Sequence, residues 1–362
     1  MGPSSSSAGR TKRDKSFLYR GLAYASALLA SVIGLTAALA LFQPFDSIER
    51  SIIRLEYGEG AIALASKVSA FRTAQWMRWP DRLVIRAKAA GAPLQAGEYD
   101  VNAHKDLWSL IHAIQSGKRF KRTVTLVEGW TLTDWQRVLE SAPGMRVSQR
   151  ELTSDLSNAS EDDLGTLGEG WFMPDTYQYE WGTAADTVYA RANQEMVSEL
   201  QRWIGTEKVE NAFSDEDRGV INQFKARDWL TLASIVEKES SRFDDQRKIA
   251  RVFLNRLALG MRLQSDPTVI YALGNDFDGD LTRRDLKVDA PHNTYRHKGL
   301  PPGPICNPGR RAIEAVFRPA DGDWLYFVGR GDGTSQFSKT LSEHNRAVRK
   351  YQLGIETDED RR

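Results

Sequence analysis

The chain has 362 residues, 41% apolar and 27% charged, which is enough for a full hydrophobic core and a length suited to about two modules. Its 49 basic and 48 acidic side chains nearly cancel, so no global field argues for nucleic acid or for a strongly anionic partner. The single cysteine, Cys306, excludes an internal disulfide and a multi-cysteine metal site.

Residues 1–16 are rich in Ser, Gly, Lys and Arg, show no apolar periodicity and are expected to be disordered, within a basic cytoplasmic tail over 1–20. From Gly21 to Phe42 no side chain is charged, and about 22 residues suffice to cross a hydrocarbon layer of about 30 Å as a helix. Arg10, Lys12, Arg13, Lys15 and Arg20 precede this run against Asp14 alone, which places the N-terminus in the cytoplasm and the bulk of the chain in the periplasm. The alternative is a cleaved signal peptide, since Ala38-Leu39-Ala40 fits a small-x-small cleavage pattern. The length of the run favours an uncleaved, single-pass anchor in the inner membrane.

Residues 51–128 read as a small αβ module. A strand is expected over Ile52–Tyr57, helices over Ala61–Phe71 and Ala74–Ala90, a strand near Leu94–Val101, a helix over Leu107–Gln115 and a strand over Arg122–Val127. Within the connecting stretch 129–168, Thr131 or Thr133 can cap a helix through Trp135 and Leu139, followed by a polar, acidic run. A second, mixed α+β domain is expected over 169–353, and a charged tail over 354–362.

The second domain opens with EGWFMPDTYQYEW, whose aromatics suit either sugar-ring stacking or a turn packed on a core. An amphipathic helix is expected over Ala185–Ile204. Next comes DWLTLASIVEKESS, residues 228–241, where Trp229, Leu232, Ile235 and Val236 form an apolar stripe with Glu239 in its middle and Glu237 pointing the other way. Two outcomes are open for Glu239. A carboxyl on a core-facing stripe must meet a cation or hold its proton to high pH, as a general acid requires, or the helix ends there and the side chain escapes to solvent.

Asp244 or Asp245 is expected to cap a helix running to Leu259. Asp266, directly before Pro267, has the signature of an N-cap with proline at the first helical position. His292–Pro308 holds four prolines, two glycines and two histidines without periodicity, a loop of the length that commonly carries function. Cys306 lies in this turn-rich segment and reads as an inert thiol. A buried strand over Trp324–Gly329 and a helix over Ser342–Leu353 complete the expected elements.

Several strings are specific. LVEGWT, EGWFMPDTY, LASIVEKES, VFLNRLALGMRLQSDPTVIYALG, HNTYRHKGLPPGPICNPG and YFVGRGDGTSQFSKTLSEHN occur in that order and together resemble the endolytic murein transglycosylases, the MltG or YceG-like family. The resemblance covers about Ser51 to Tyr351 and implies one N-terminal membrane span, a LysM-like module and a catalytic domain. It maps the family's catalytic glutamate onto Glu239, in agreement with the periodicity. It implies cleavage of the β-1,4 bond between N-acetylmuramic acid and N-acetylglucosamine in peptidoglycan, with a 1,6-anhydro end and no metal or cofactor. Ser240, Gln264, Asn293 and Tyr295 are candidate contacts to sugar or peptide, with Glu169 and Asp266 as electrostatic or structural supports. Membrane-bound cell-wall synthases are the natural partners. The rival functions are a hydrolytic muramidase with Asp266 or Glu169 as second carboxylate, and a membrane-anchored glycan-binding protein without activity.

Overall fold

A computed structural model of the chain describes residues 10–45, 51–72, 78–147, 168–206 and 213–355. The uncharged run is helical within α1 (Arg10–Phe42), which begins inside the tail expected to be disordered, and Phe17–Phe42 is long and apolar enough to cross a membrane, with most of its surface exposed. The chain divides into two units, residues 1–122 with 180–182, and residues 123–179 with 183–362.

In the first unit β1 (Ile52–Leu55) pairs antiparallel with β2 (Gly97–Asp100), Ile53 opposite Tyr99. Between the strands run α2 (Ala61–Val68), which continues as a 3-10 turn to Phe71, and α3 (Arg78–Ala89). The expected start of α3 at Ala74 falls on residues outside the described set. After β2 comes α4 (Leu107–Gln115), which Asp106 starts by accepting from the Ser109 amide. Leu64, Val68, Ile85, Tyr99, Leu107, Leu110 and Ile114 form this unit's core. The Arg72 guanidinium donates to the carbonyls of Ala40 and Gln43, satisfying the open C-terminal end of α1. Trp181 belongs here because the Arg54 guanidinium lies 3.1 Å above its ring.

The boundary between units differs from the one expected at residues 128–129. β3 (Arg122–Leu126) pairs with β4 (Asp175–Tyr179), so the second unit begins at Thr123 rather than Glu169. The helix α5 (Leu132–Ser141), capped by Thr131, also joins the second unit, because Trp135 and Leu139 are buried in its core. Within EGWFMPDTYQYEW, Trp171, Phe172, Met173, Tyr177 and Tyr179 are buried. That stretch is core and strand rather than a stacking platform for sugars.

The second unit continues with α6 (Ala185–Gln201), α7 (Asp215–Ile221), α8 (Ala226–Glu239), α9 (Phe243–Ala258), α10 (Asp266–Leu273) and α11 (Arg310–Phe317). It ends in the antiparallel hairpin of β5 (Tyr326–Gly329) and β6 (Ser335–Ser338) and in α12 (Leu341–Tyr351). The class is therefore α+β, as expected.

The helix α8 is central, and it packs against α9, α10 and α11. Its eight residues Trp229–Val236 are all buried, so it is enclosed on every side rather than along one stripe. Asp228 accepts from the Lys225 amide at 2.8 Å at its start, and Trp229 stacks on Phe317 with ring centroids 4.3 Å apart.

Two expected caps are corrected. The N-cap of α9 is Arg242, while the buried Asp245 accepts from the Ser335 amide at 2.9 Å. The N-cap of α10 is Ser265, and Asp266 is its first helical residue.

The long loop 292–308 forms no helix or strand. Its later part is packed against α8, with the Ile305 amide and the Cys306 thiol both hydrogen-bonded to Ser234. Gly170 (φ +83°) permits this closeness from the other side, since a Cβ there would lie 2.4 Å from Pro304.

Candidate active site

Glu239 is the last residue of α8, where the chain turns to extended backbone at Ser240. Both readings of this position are partly realised, because the helix does end there, yet the carboxyl stays half-buried and lines a cleft of about 390 Å³. Gln264, Asp266 and Tyr295 line the same cleft, together with Arg256, Tyr326 and His344. Residues far apart in the chain thus converge on one carboxyl.

The Ser265 hydroxyl donates to Glu239 Oε1 at 2.5 Å. Ser265 holds the N-cap position of α10, but its hydroxyl serves Glu239 instead of a helix amide. No hydrogen bond reaches Oε2 among the described residues. Burial is the main cause that pushes the Glu239 carboxyl up to about 7, opposed by the Ser265 hydroxyl, reinforced by the Asp266 charge and opposed again by Arg256. An acid in this range is part-protonated near neutrality and can both give and take a proton.

Arg256 is held by main-chain carbonyls, Nε donating to Leu325 at 2.7 Å and Nη1 to Leu263 at 2.5 Å. Tyr295 donates its hydroxyl to Asp266 Oδ1 at 2.5 Å. Gln264 has φ +50°, and it is the one non-glycine residue with positive φ among the described residues. A long side chain held in this sparsely populated region lies where the cleft is built. His344 stacks on Tyr326 with centroids 5.3 Å apart, and burial, followed by the Arg256 charge, lowers its pKa. Both causes favour the neutral imidazole.

Three candidates do not line this cleft. Ser240 makes a local turn, its hydroxyl accepting from the Arg242 amide and its carbonyl from the Gln246 side chain. Asn293 is fully buried, donating to the carbonyls of Leu286 and Val288 and accepting from the Tyr295 amide, so its polar atoms hold the loop rather than a ligand. Glu169 accepts from the Leu132 amide at the start of α5 and from Asn307. Its carboxyl is also pushed up to about 7, chiefly by burial, so a raised pKa alone does not separate it from Glu239. The lining of the cleft does.

Glu237 opens on a different cleft, of about 570 Å³, where it accepts from the Gly309 amide at 3.0 Å. Sequence reading missed Ser265, Arg256, Tyr326 and His344. For Ser265 a signal existed in its position beside Asp266-Pro267, and for the others none did.

A family model described as the YceG-like family matches residues 55–350. The chain belongs to the YceG-like family. It is 30% identical over 332 residues to an endolytic murein transglycosylase of Bacillus subtilis (strain 168), covering 86% of this chain and 88% of the relative. It is 31% identical over 291 residues to an endolytic murein transglycosylase of Streptococcus pneumoniae serotype 2 (strain D39), covering 71% of this chain and 51% of that longer relative. A crystal structure of a yceG-like protein from Listeria monocytogenes superimposes with a TM-score of 0.50 at 26% identity, covering 83% of this chain and 99% of that one. In this YceG-like chain the matched region includes every described residue that lines the Glu239 cleft except Gln352.

Proposed function

We propose that this YceG-like protein is an endolytic peptidoglycan lytic transglycosylase that cuts the β-1,4 bond between N-acetylmuramic acid and N-acetylglucosamine and leaves 1,6-anhydro ends. The observation that carries the reading is Glu239, a half-buried carboxyl hydrogen-bonded by Ser265 in a cleft and poised near neutrality. Protonated Glu239 gives its proton to the glycosidic oxygen as the bond to the anomeric carbon breaks. The resulting carboxylate then takes the proton of the muramoyl 6-hydroxyl as that oxygen closes on the same carbon. The nucleophile is part of the substrate, so its effective concentration is high and no second carboxylate is required. Arg256 places a fixed cation near the carboxylate formed between the two steps, and the Ser265 hydroxyl stabilises the same state.

One observation favours a second reading. Asp266 lines the cleft with Glu239, as the base of a hydrolytic muramidase would. Glu169 has no such support. Cleavage in oxygen-18 water followed by mass spectrometry separates the readings. The expected fragments end in unlabelled anhydro-muramic acid, one water lighter than a reducing end. Labelled reducing ends mean a muramidase, and the absence of fragments means a binding protein.

The strand, two helices and strand of the first unit support a LysM-like, glycan-binding role for the module expected over 51–128, of which residues 51–122 lie in that unit. The apolar helix Phe17–Phe42 supports a single-pass anchor in the inner membrane with the bulk of the chain periplasmic. Such an anchor confines cutting to nascent strands near the membrane, beside the cell-wall synthases proposed as partners, and cuts there would end or trim strand elongation.

A further inference from the structure

Beside the Glu239 cleft lies a second one of about 700 Å³, lined by Arg262, Arg283, Leu286, Lys287, Tyr295, Arg296 and His297. Tyr295 is common to both. In a chain whose net charge is +1, this concentration of cations is local. From Thr282 to Lys298 there are five Lys and Arg against two Asp. Those acids are already engaged, Asp285 by the Thr282 amide and hydroxyl, and Asp289 by His297 at 3.5 Å. Asp266, which lines the Glu239 cleft, accepts from Tyr295. The side chains of Arg262, Arg283, Lys287 and Arg296 make no ion pair or hydrogen bond among the described residues.

Unpaired cations of one sign around a concave surface repel each other and favour an anion, and Arg is suited to bidentate contact with a carboxylate or phosphate. The wall is also tied together by hydrogen bonds. Asn293 ties the carbonyls of Leu286 and Val288 to its own position and orients Tyr295 through the backbone.

We infer that this cleft is a subsite for the carboxylates of the peptide stem carried by a muramoyl residue next to the scissile bond. The inference rests on the proposed peptidoglycan reading and names what part of the strand the enzyme recognises besides sugar. The stem hangs from the lactyl group of the same ring whose glycosidic oxygen Glu239 protonates, so an anion site sharing one wall with the acid is where a stem would reach. A second anion on such strands, the lipid pyrophosphate at one end, is remote from a cut made in the interior.

The test is equilibrium binding of labelled strands to the full chain carrying Glu239→Gln, so that no cleavage is needed. Strands bearing stems are expected to bind at least about tenfold more tightly than strands stripped by an amidase, the worth of about one charge-assisted hydrogen bond. Blocking the stem carboxylates as amides abolishes the preference, and removing the terminal pyrophosphate leaves it. Adding Arg283→Gln, Lys287→Gln and Arg296→Gln brings the ratio between stem-bearing and stripped strands towards one. Arg283→Lys with Arg296→Lys retains most of it. Loss of fold would weaken both strands alike, so the ratio reports on the cleft. Equal binding of both strands by the parent, an unchanged ratio in the Gln variants, or dependence on the pyrophosphate overturns the inference. The oxygen-18 result stands apart from all three.

Discussion

Glu237 and Glu239 are two residues apart, both are half-buried, and burial raises the pKa of both. Glu237 accepts from a main-chain amide in its own cleft, which a glutamine oxygen can do equally well. Glu239→Gln is therefore expected to lower strand cleavage by at least about 10²-fold, the scale of general acid catalysis, whereas Glu237→Gln stays within about tenfold of the parent. Equal losses in a steady-state assay would mean that the cleft assignment is wrong. The pH dependence follows from the same carboxyl. Its folded pKa of about 7 exceeds the ordinary 4.5, so the folded state holds the proton more tightly than the unfolded chain. Its contribution to stability is fully present below about 4.5 and is lost as pH rises through 7. The kcat/KM of the parent is expected to fall above about pH 7 as the acid form disappears. Thermal melts at pH 5 and pH 8 are expected to differ less in Glu239→Gln than in the parent, because an uncharged amide replaces a carboxylate that must ionise in a buried place.

At the scale of elements, α8 ends in Glu239, the proposed acid, and is also the helix on which the second unit is packed. Trp229 touches Phe213, Phe224 and Phe317, so its ring joins the segments before α8 to α11. Trp229→Ala removes a buried aromatic from three partners and is expected to cost about 3–5 kcal/mol of stability, measured by denaturant unfolding of the second unit's tryptophan and circular dichroism signals. A cost under about 1 kcal/mol would mean that α8 is held by other contacts. Much at this scale was legible. The periodicity of α2, α4, α6, α8 and α12 located those helices, because amphipathic spacing is local. The strand β4 carried a readable alternation, Tyr177 and Tyr179 inward against Thr176 and Gln178, but Pro174 and the aromatic density drew the stretch towards a turn. β6, with the sequence SQFS, has only one apolar residue and is defined by its pairing with β5.

At the scale of the whole molecule, the first unit carries α1 and the second carries Glu239. Protease added to spheroplasts is expected to digest the large second unit while leaving a membrane-bound fragment that contains Phe17–Phe42. Protection of the second unit would reverse the orientation drawn from the basic flank, and a mature N-terminus at Leu41 would establish cleavage instead of anchoring. The boundary between units shows how local reading falls short. Residues 122–141 look like the end of one module and a connection, yet β3 pairs with a strand about 50 residues later and Trp135 is buried in the second core.

By itself, the sequence determined the apolar N-terminal run, the helical scaffold and the family, and it singled out Glu239 as the proposed acid, since each depends on residues close together or on long ordered strings. Tertiary structure decided what surrounds that carboxyl. Ser265, which hydrogen-bonds it, and Arg256, Tyr326 and His344, which line its cleft, come from four segments, and no spacing along the chain encodes their meeting. It also separated Asn293 and Glu169, whose polar groups are used within the fold, from Gln264, Asp266 and Tyr295, which line the cleft. The reason is physical. Helix formation and membrane partition are set by side chains a few residues apart, whereas burial, hydrogen-bond partners and the pKa of one acid are set by which distant segments pack around it.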